Sequence, residues 1–239
     1  MQMAVLFSTP LLAFLVNWSW GWAIAGLLMF YLFCNGGVNM MMHRFWSHKT
    51  FEFSNPIVEW IFTAVAVLAG RGSPLGWVYV HRLHHAHADT EKDPHSPEYG
   101  FRFFSIKGTT VANKLDKLFL VRDMLTKKHL FLNDYYFGFL AVWALFLLCF
   151  GLNAFFFLWL LPICLNQLTQ DFFTYFTHVN TGYRNFEVKD NSKNVLWLWP
   201  VIWGDSLHNN HHGNAAMQHY AVKKWEFDPL FHIIKFFRK

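Results

Sequence analysis

The sequence predicts an all-α integral membrane protein. The expected fold is a bundle of four transmembrane helices in two hairpins, with a cytoplasmic helical cap that holds a histidine-rich di-metal site. Three observations lead there. Charged residues are only 15% and aromatic residues 20% of the 239, both displaced from a soluble average toward a membrane one. All twenty Lys and Arg lie in two blocks, Arg44–Lys128 and Arg184–Lys239, which marks those blocks as the cytoplasmic side. Histidines recur in a spaced pattern at the ends of the apolar runs.

The first apolar run, Met3–Val16, has fourteen residues. That is about 21 Å of helix against a hydrocarbon core of about 30 Å. Three readings stay open: a span that recruits Asn17, a re-entrant segment, or a shortened first helix. Met1-Gln-Met lacks the positive charge of a signal peptide, so the run is expected in the mature protein. Asn17-Trp-Ser-Trp reads as an interfacial turn. Ser19–Met42 is a full span that runs straight into His43. Asn35, Asn39 and His43 are four apart and share a helix face. His48 lies five residues after His43, so the helix is expected to break or bend between them. Ile57–Ala69, bounded by Asn55-Pro56 and Gly70-Arg71-Gly72-Ser-Pro74, is too short to cross. It reads as a cytoplasmic or interfacial helix over the site, followed by a helix starting after Pro74. Gly100–Asn133 mixes Lys and Arg with Leu, Phe and Val, the pattern of an amphipathic helix on the membrane surface.

Tyr135–Phe150 and Asn153–Thr177 form the second hairpin, turned at Gly151-Leu-Asn153. The expected spans are therefore 3–17, 19–42, 135–150 and 153–177, with the cap built from 43–134 and 178–239. Trp197–Trp203 and Trp225–Phe237 are aromatic, carry Lys nearby and read as interfacial. One integral domain, 1–239, accounts for the whole chain. Cys34, Cys149 and Cys164 sit in apolar runs without ligand spacing and read as small core residues. No basic stripe alternates with stacking aromatics, so nucleic acid is not an expected partner.

His81-Arg-Leu-His84-His85 and His208-Asn-Asn-His211-His212 share H-x-x-H-H, and His43-Arg-Phe-Trp-Ser-His48 adds H-x4-H. Residues three and four apart share a helix face, so each H-x-x-H-H unit presents clustered imidazoles, good ligands for first-row metals. The two hairpins also return His178 to the same side. Nine imidazoles, His43, His48, His81, His84, His85, His178, His208, His211 and His212, are too many for one ion and suit two. His87, His95, His129, His219 and His232 are left outside. Asp171 and Thr174 share a face with His178, and a carboxylate within a span marks function by default. Asp171 is expected to orient a ligand or to pair with Asn35 or Asn39. Asn39, Asp89, Asp93, Asp205 and Asp228 are further candidates to hold the ligating rings in place.

Rival metal chemistries fit less well. Zinc sites take three or four protein ligands per ion, and soluble diiron enzymes use paired Glu-x-x-His motifs, which do not occur here. A transporter would place ligands near the bilayer midplane, whereas these flank the spans at one end. The residues alone thus lead to a membrane di-metal histidine site.

The three boxes, with Asp93-Pro-His95 and Gly204-Asp-Ser-Leu-His208 around them, resemble those of the membrane-bound fatty-acid desaturases, most of all the delta-9 acyl-CoA and bacterial acyl-lipid types. His178-Val-Asn-Thr-Gly182-Tyr-Arg184 resembles that family's isolated histidine, and Trp225-Glu-Phe-Asp228-Pro its C-terminal segment. The resemblance runs from the second span onward. It implies a four-helix membrane anchor with a cytoplasmic cap. It also implies two Fe ions (Fe2+/Fe3+), O2 as co-substrate, and a cis double bond placed in a long acyl chain, with position nine the expectation. The electron donor would be a separate ferredoxin or cytochrome b5 type protein. Trp77 stands where the family places a tunnel tryptophan. Arg71 replaces a Gln of many members. It is expected at a head group, or paired with Glu59 or Asp93. Thr174-Tyr-Phe-Thr177 replaces an Asn-Ser pair, so a water on one iron is expected to be held differently. Tyr79-Val80 replaces the Arg-Asp of animal acyl-CoA enzymes, which points away from CoA. Membrane hydroxylases of lipids or alkanes use similar boxes and are the alternative class.

Overall fold

The structure, a computed structural model, describes residues 2–99, 119–179 and 181–239. The described residues are helical, without a β-sheet. In chain order the main helices are α1 (Gln2–Ala13), α2 (Trp20–Ser47), α3 (Pro56–Leu68), α4 (Pro74–His87), α5 (Lys127–Asp134), α6 (Tyr136–Leu148), α7 (Leu152–Phe176), α8 (Trp199–Ile202), α9 (His208–Gly213) and α10 (Pro229–Ile234).

Two helices, α2 and α7, are long and apolar enough to cross a bilayer. They are the predicted second and fourth spans. The third predicted span is shorter: α5 and α6 together pass the same test, but bend by 61° at Tyr135. α1 has only 12 residues, about 18 Å. It packs on α7, and Asn153 pins its exit by exchanging bonds with the Asn17 backbone. The predicted helix over Gly100–Asn133 lies largely outside the described residues, and its described end forms a short turn, Phe119–Met124, and α5.

The predicted break between His43 and His48 is absent. From Leu32 to Ser47 α2 is a π-helix, and the His48 amide donates to the His43 carbonyl at 3.2 Å. Bonds from i to i+5 widen the turn to between four and five residues. Asn35, Asn39, His43 and His48 then fall on one face, thirteen residues in three turns. At about 3.6 residues per turn an α-helix would throw His48 to the far side.

α3 also departs from its expectation. It does not cover the site but packs along the π-helical part of α2 and against α6. A close approach allows this: a Cβ on Gly37 would meet Ala69 Cβ and the Val65 carbonyl at 3.1 Å. α3 leaves Ile57, Trp60 and Ile61 exposed on its outer face. Its Glu59 pairs with Lys128, at 2.6 Å. Cys34 and Cys164 are buried as predicted, whereas Cys149 is exposed.

Candidate metal centre

α4 starts at Pro74 with Ser73 capping the Gly76 amide, so its last turns carry His81, His84 and His85 on adjacent faces. α9 presents His208, His211 and His212, and α7 delivers His178 just past its end. The π-helical end of α2 supplies His43 and His48. All nine predicted histidines converge, in two groups. His43, His48, His81, His85 and His211 form one, and His84, His178, His208 and His212 the other. Within each group the ring nitrogens lie within 4.8 Å of one another. The groups adjoin, since the His85 and His212 rings stack at 4.4 Å.

Carboxylates set the ring orientations. His43 Nδ1 faces Asp205 Oδ2 at 2.7 Å, His84 Nδ1 faces Asp93 at 2.9 Å, His178 Nδ1 faces Asp89 at 3.1 Å and His212 Nδ1 faces Asp190 at 2.9 Å. A carboxylate there fixes the proton on Nδ1 and leaves a lone pair on Nε2. Those Nε2 atoms point inward. His43 and His211 Nε2 are 3.0 Å apart, His48 and His81 2.7 Å, His85 and His211 2.9 Å, and His178 and His208 3.0 Å. The buried Nε2 atoms of His84 and His212 have no hydrogen-bond partner among the described residues. Nε2 lone pairs directed inward in this way suit a cation between them.

Burial, reinforced by repulsion between the rings, holds His48, His81, His85, His208 and His211 well below the ordinary imidazole value. Burial thus favours the neutral, metal-binding form of these five rings, whereas Asp93 raises His84.

Charge gives an independent measure. Asp89, Asp93, Asp190, Asp205 and Asp228 surround the histidines, and Arg44, fully buried, joins Asp205 at 2.7 Å to Asp228 at 2.9 Å. Carboxylates outnumber Arg44 around the histidines, and unpaired buried charge is strongly unfavourable, so the residues present fit positively charged ions.

The remaining predicted residues lie close by in other roles. A cavity beside both groups is lined by Asn39, Arg71, Trp77, His95, Gln170, Phe173 and Thr174 together with His43, His81, His84, Asp205 and His208. Trp77 stacks on His81 at 4.9 Å. Asn39 bonds Asn35, Gln170 and the Ile202 carbonyl rather than a ligand. Asp171 faces Arg71 at 3.4 Å, and Arg71 pairs there rather than with Glu59 or Asp93. The Thr174 hydroxyl donates to the Gln170 carbonyl within its own helix. Asp228 acts through Arg44. His87, His95, His129, His219 and His232 stay outside both groups. Sequence reasoning missed Asp190. It lies 22 residues before His212 in an irregular polar stretch, and no local periodicity joins the two. Arg44 was also overlooked as the bridge between Asp205 and Asp228.

Membrane-length helices carrying two adjoining buried histidine groups beside a cavity define a metal-dependent membrane enzyme. The sequence profile of the fatty acid desaturase family matches residues 17–226, and the chain belongs to that family. It is an enzyme that desaturates fatty acyl chains. Among its relatives is a "Delta-9 acyl-lipid desaturase 2" of Arabidopsis thaliana, 29% identical over 96% of this chain and 76% of the relative. A "sn-2 palmitoyl-lipid 9-desaturase" of Nostoc sp. (strain 36) is 31% identical over 91% and 79%. The chloroplastic "Palmitoyl-monogalactosyldiacylglycerol delta-7 desaturase" of Arabidopsis thaliana is 26% identical over 98% and 64%.

Proposed function

We propose that this enzyme introduces a cis double bond, at the ninth carbon from the carboxyl, into an acyl chain esterified to a membrane lipid. The metal ions are two irons, one in each histidine group. The observation that carries the reading is the division of nine inward-pointing imidazoles into adjoining sets of five and four around a cavity. Overall, an acyl –CH2–CH2– unit, one O2, two electrons and two protons give –CH=CH– and two waters. The bound irons would supply O2 activation and removal of the two hydrogens.

The chain's own residues bind, orient and shield. Trp77, on one side, and Phe173, whose ring lies 4.9 Å from that of His208, give the acyl chain apolar walls against both histidine groups. Trp77 also braces His81 by stacking. Asp89, Asp93, Asp190 and Asp205 keep four rings in the orientation that directs Nε2 inward. Burial of His81, His84, His208 and His211 excludes bulk water, which prevents side reactions of an oxidising site.

A lipid carrier is favoured over CoA because Tyr79 is buried and uncharged where a CoA phosphate would require a cation. The relatives named for acyl-lipid substrates support the same choice. The topology that fits the confinement of Lys and Arg is four spans, α1, α2, α6 and α7, with the metal centre on the cytoplasmic side. The two electrons come from a separate ferredoxin or cytochrome b5 type donor. Expression in a host that lacks its own desaturase, with such a donor supplied, tests the reading. Fatty acids profiled by mass spectrometry after derivatisation should contain a new delta-9 cis-monoene in phospholipid. Hydroxylated chains without monoenes would move the protein to the hydroxylase class.

A further inference from the structure

The segment 196–203 packs along the polar face of α2. From Trp20 to Tyr31 α2 rises about 18 Å, well short of the roughly 30 Å core. With Trp20 at one interface, Tyr31 is inside the hydrocarbon layer. The Tyr31 hydroxyl donates to the Pro200 carbonyl at 2.9 Å, Asn35 Nδ2 to Val201 O at 3.0 Å and Asn39 Nδ2 to Ile202 O at 3.4 Å. Three consecutive carbonyls of a non-spanning segment are thus satisfied by one polar stripe of a spanning helix. The segment is two short helical turns, Leu196–Leu198 and α8, and the last carbonyls of so short a helix need partners outside it, which α2 supplies.

The segment plugs the gap between α2 and α7. Its Leu198 and Ile202 join Phe30 and Cys34 of α2, Phe173 of α7 and Val195 in an apolar cluster separate from the main core. Leu196 and Trp197 are exposed on the outer side, and Trp197 meets Phe176 at 5.2 Å. On the inner side Phe173 belongs both to this cluster and to the cavity wall. Phe173, with Asn39 and Gln170, therefore lies between the plug and the cavity. Its end is a natural hinge. Trp203 has φ +45°, a conformation that bulky residues avoid. The next residue, Gly204, is locked, since a Cβ there would overlap Asp228.

We propose that residues 196–203 are a lateral door through which the acyl chain of a bilayer lipid passes to the cavity, latched shut by Tyr31, Asn35 and Asn39. This rests on the reading that the substrate is a membrane lipid. A cavity open only to the aqueous side would require that chain to leave the bilayer. The door swings about Trp203, which stacks on Tyr31 and packs against the main core, while Leu198 and Ile202 leave the smaller cluster.

The native cysteines report on the door. Cys34 lies in the plug cluster with no exposure, Cys164 is in the main core, and Cys149 is exposed. Iron-loaded enzyme in phosphatidylcholine vesicles is treated with a lipid-soluble methanethiosulfonate, and each site is followed by mass spectrometry. Tyr31→Phe, and separately Asn35→Ala, should speed Cys34 modification roughly five- to tenfold, the effect of one net hydrogen bond, and leave Cys164 unchanged. A phosphatidylcholine with a mid-chain diazirine should cross-link to Phe173 or Thr174 more in these variants than in the parent. An unchanged Cys34 rate overturns the proposal. So does faster Cys34 modification without added cross-links in the cavity wall. Neither readout needs turnover, so a parent enzyme that forms no olefin would count against the function and not against the door.

Discussion

Replacing Arg44 by Gln should damage both the fold and one half of the metal centre. Arg44 has no exposure. Its guanidinium makes bonds of 2.7 and 3.0 Å to Asp205 Oδ1 and of 2.9 and 3.1 Å to the two oxygens of Asp228, and lies 3.9 Å over the Tyr220 ring. Gln removes the charge and most of those donors, and leaves two buried carboxylates uncompensated. Breaking such a pair destabilises by about 3–5 kcal/mol, or roughly two to three and a half powers of ten in the folding equilibrium. The same change frees Asp205, whose other oxygen holds His43 Nδ1. Loss of that kind of support weakens metal binding about 10- to 100-fold, here at the five-histidine group only. Unfolding in mixed micelles, followed with and without iron, measures the first effect. Competition with a chelator of graded affinity measures the second. A variant within 1 kcal/mol of the parent (by the same scale) that also retains both ions at parental affinity would refute the reasoning.

Two further changes separate the histidine groups. One added Ala between His43 and His48 should rotate His48 off the π-helical face, and iron content should fall toward one per chain while the four-histidine group stays loaded. Asp190→Asn should weaken the four-histidine ion by about 10- to 100-fold and spare the other, which a biphasic chelator titration would reveal.

The histidines were legible because their spacing is short-range. H-x-x-H-H needs only a helix to bring its rings together, and both copies lie where the apolar pattern places helix ends. H-x4-H was read as a break because an α-helix cannot align residues five apart. The π-helix became visible only with α3, Gly37 and segment 196–203 packed around it. Asp205 and Asp93 were found because they sit close in sequence to His208 and His84. Asp190 reaches His212 through an irregular stretch, and Arg71 reaches Asp171 across 100 residues, so neither pairing leaves a periodic trace. Trp197–Trp203 was read as interfacial from composition. Its partners on α2 are Tyr31, Asn35 and Asn39, whose four-residue spacing carried the signal, since a polar stripe on an apolar helix requires partners. Four spans are harder to read because α1 is short and the α5–α6 pair is bent.

Two irons, one in each histidine group, are the core of the proposed chemistry. Protein purified from iron-replete cells and assayed for metals by mass spectrometry should hold two irons per chain, and His85→Ala should lower the value toward one while His178 and its partners keep theirs. A parent value near one, or zinc in place of iron, would contradict it.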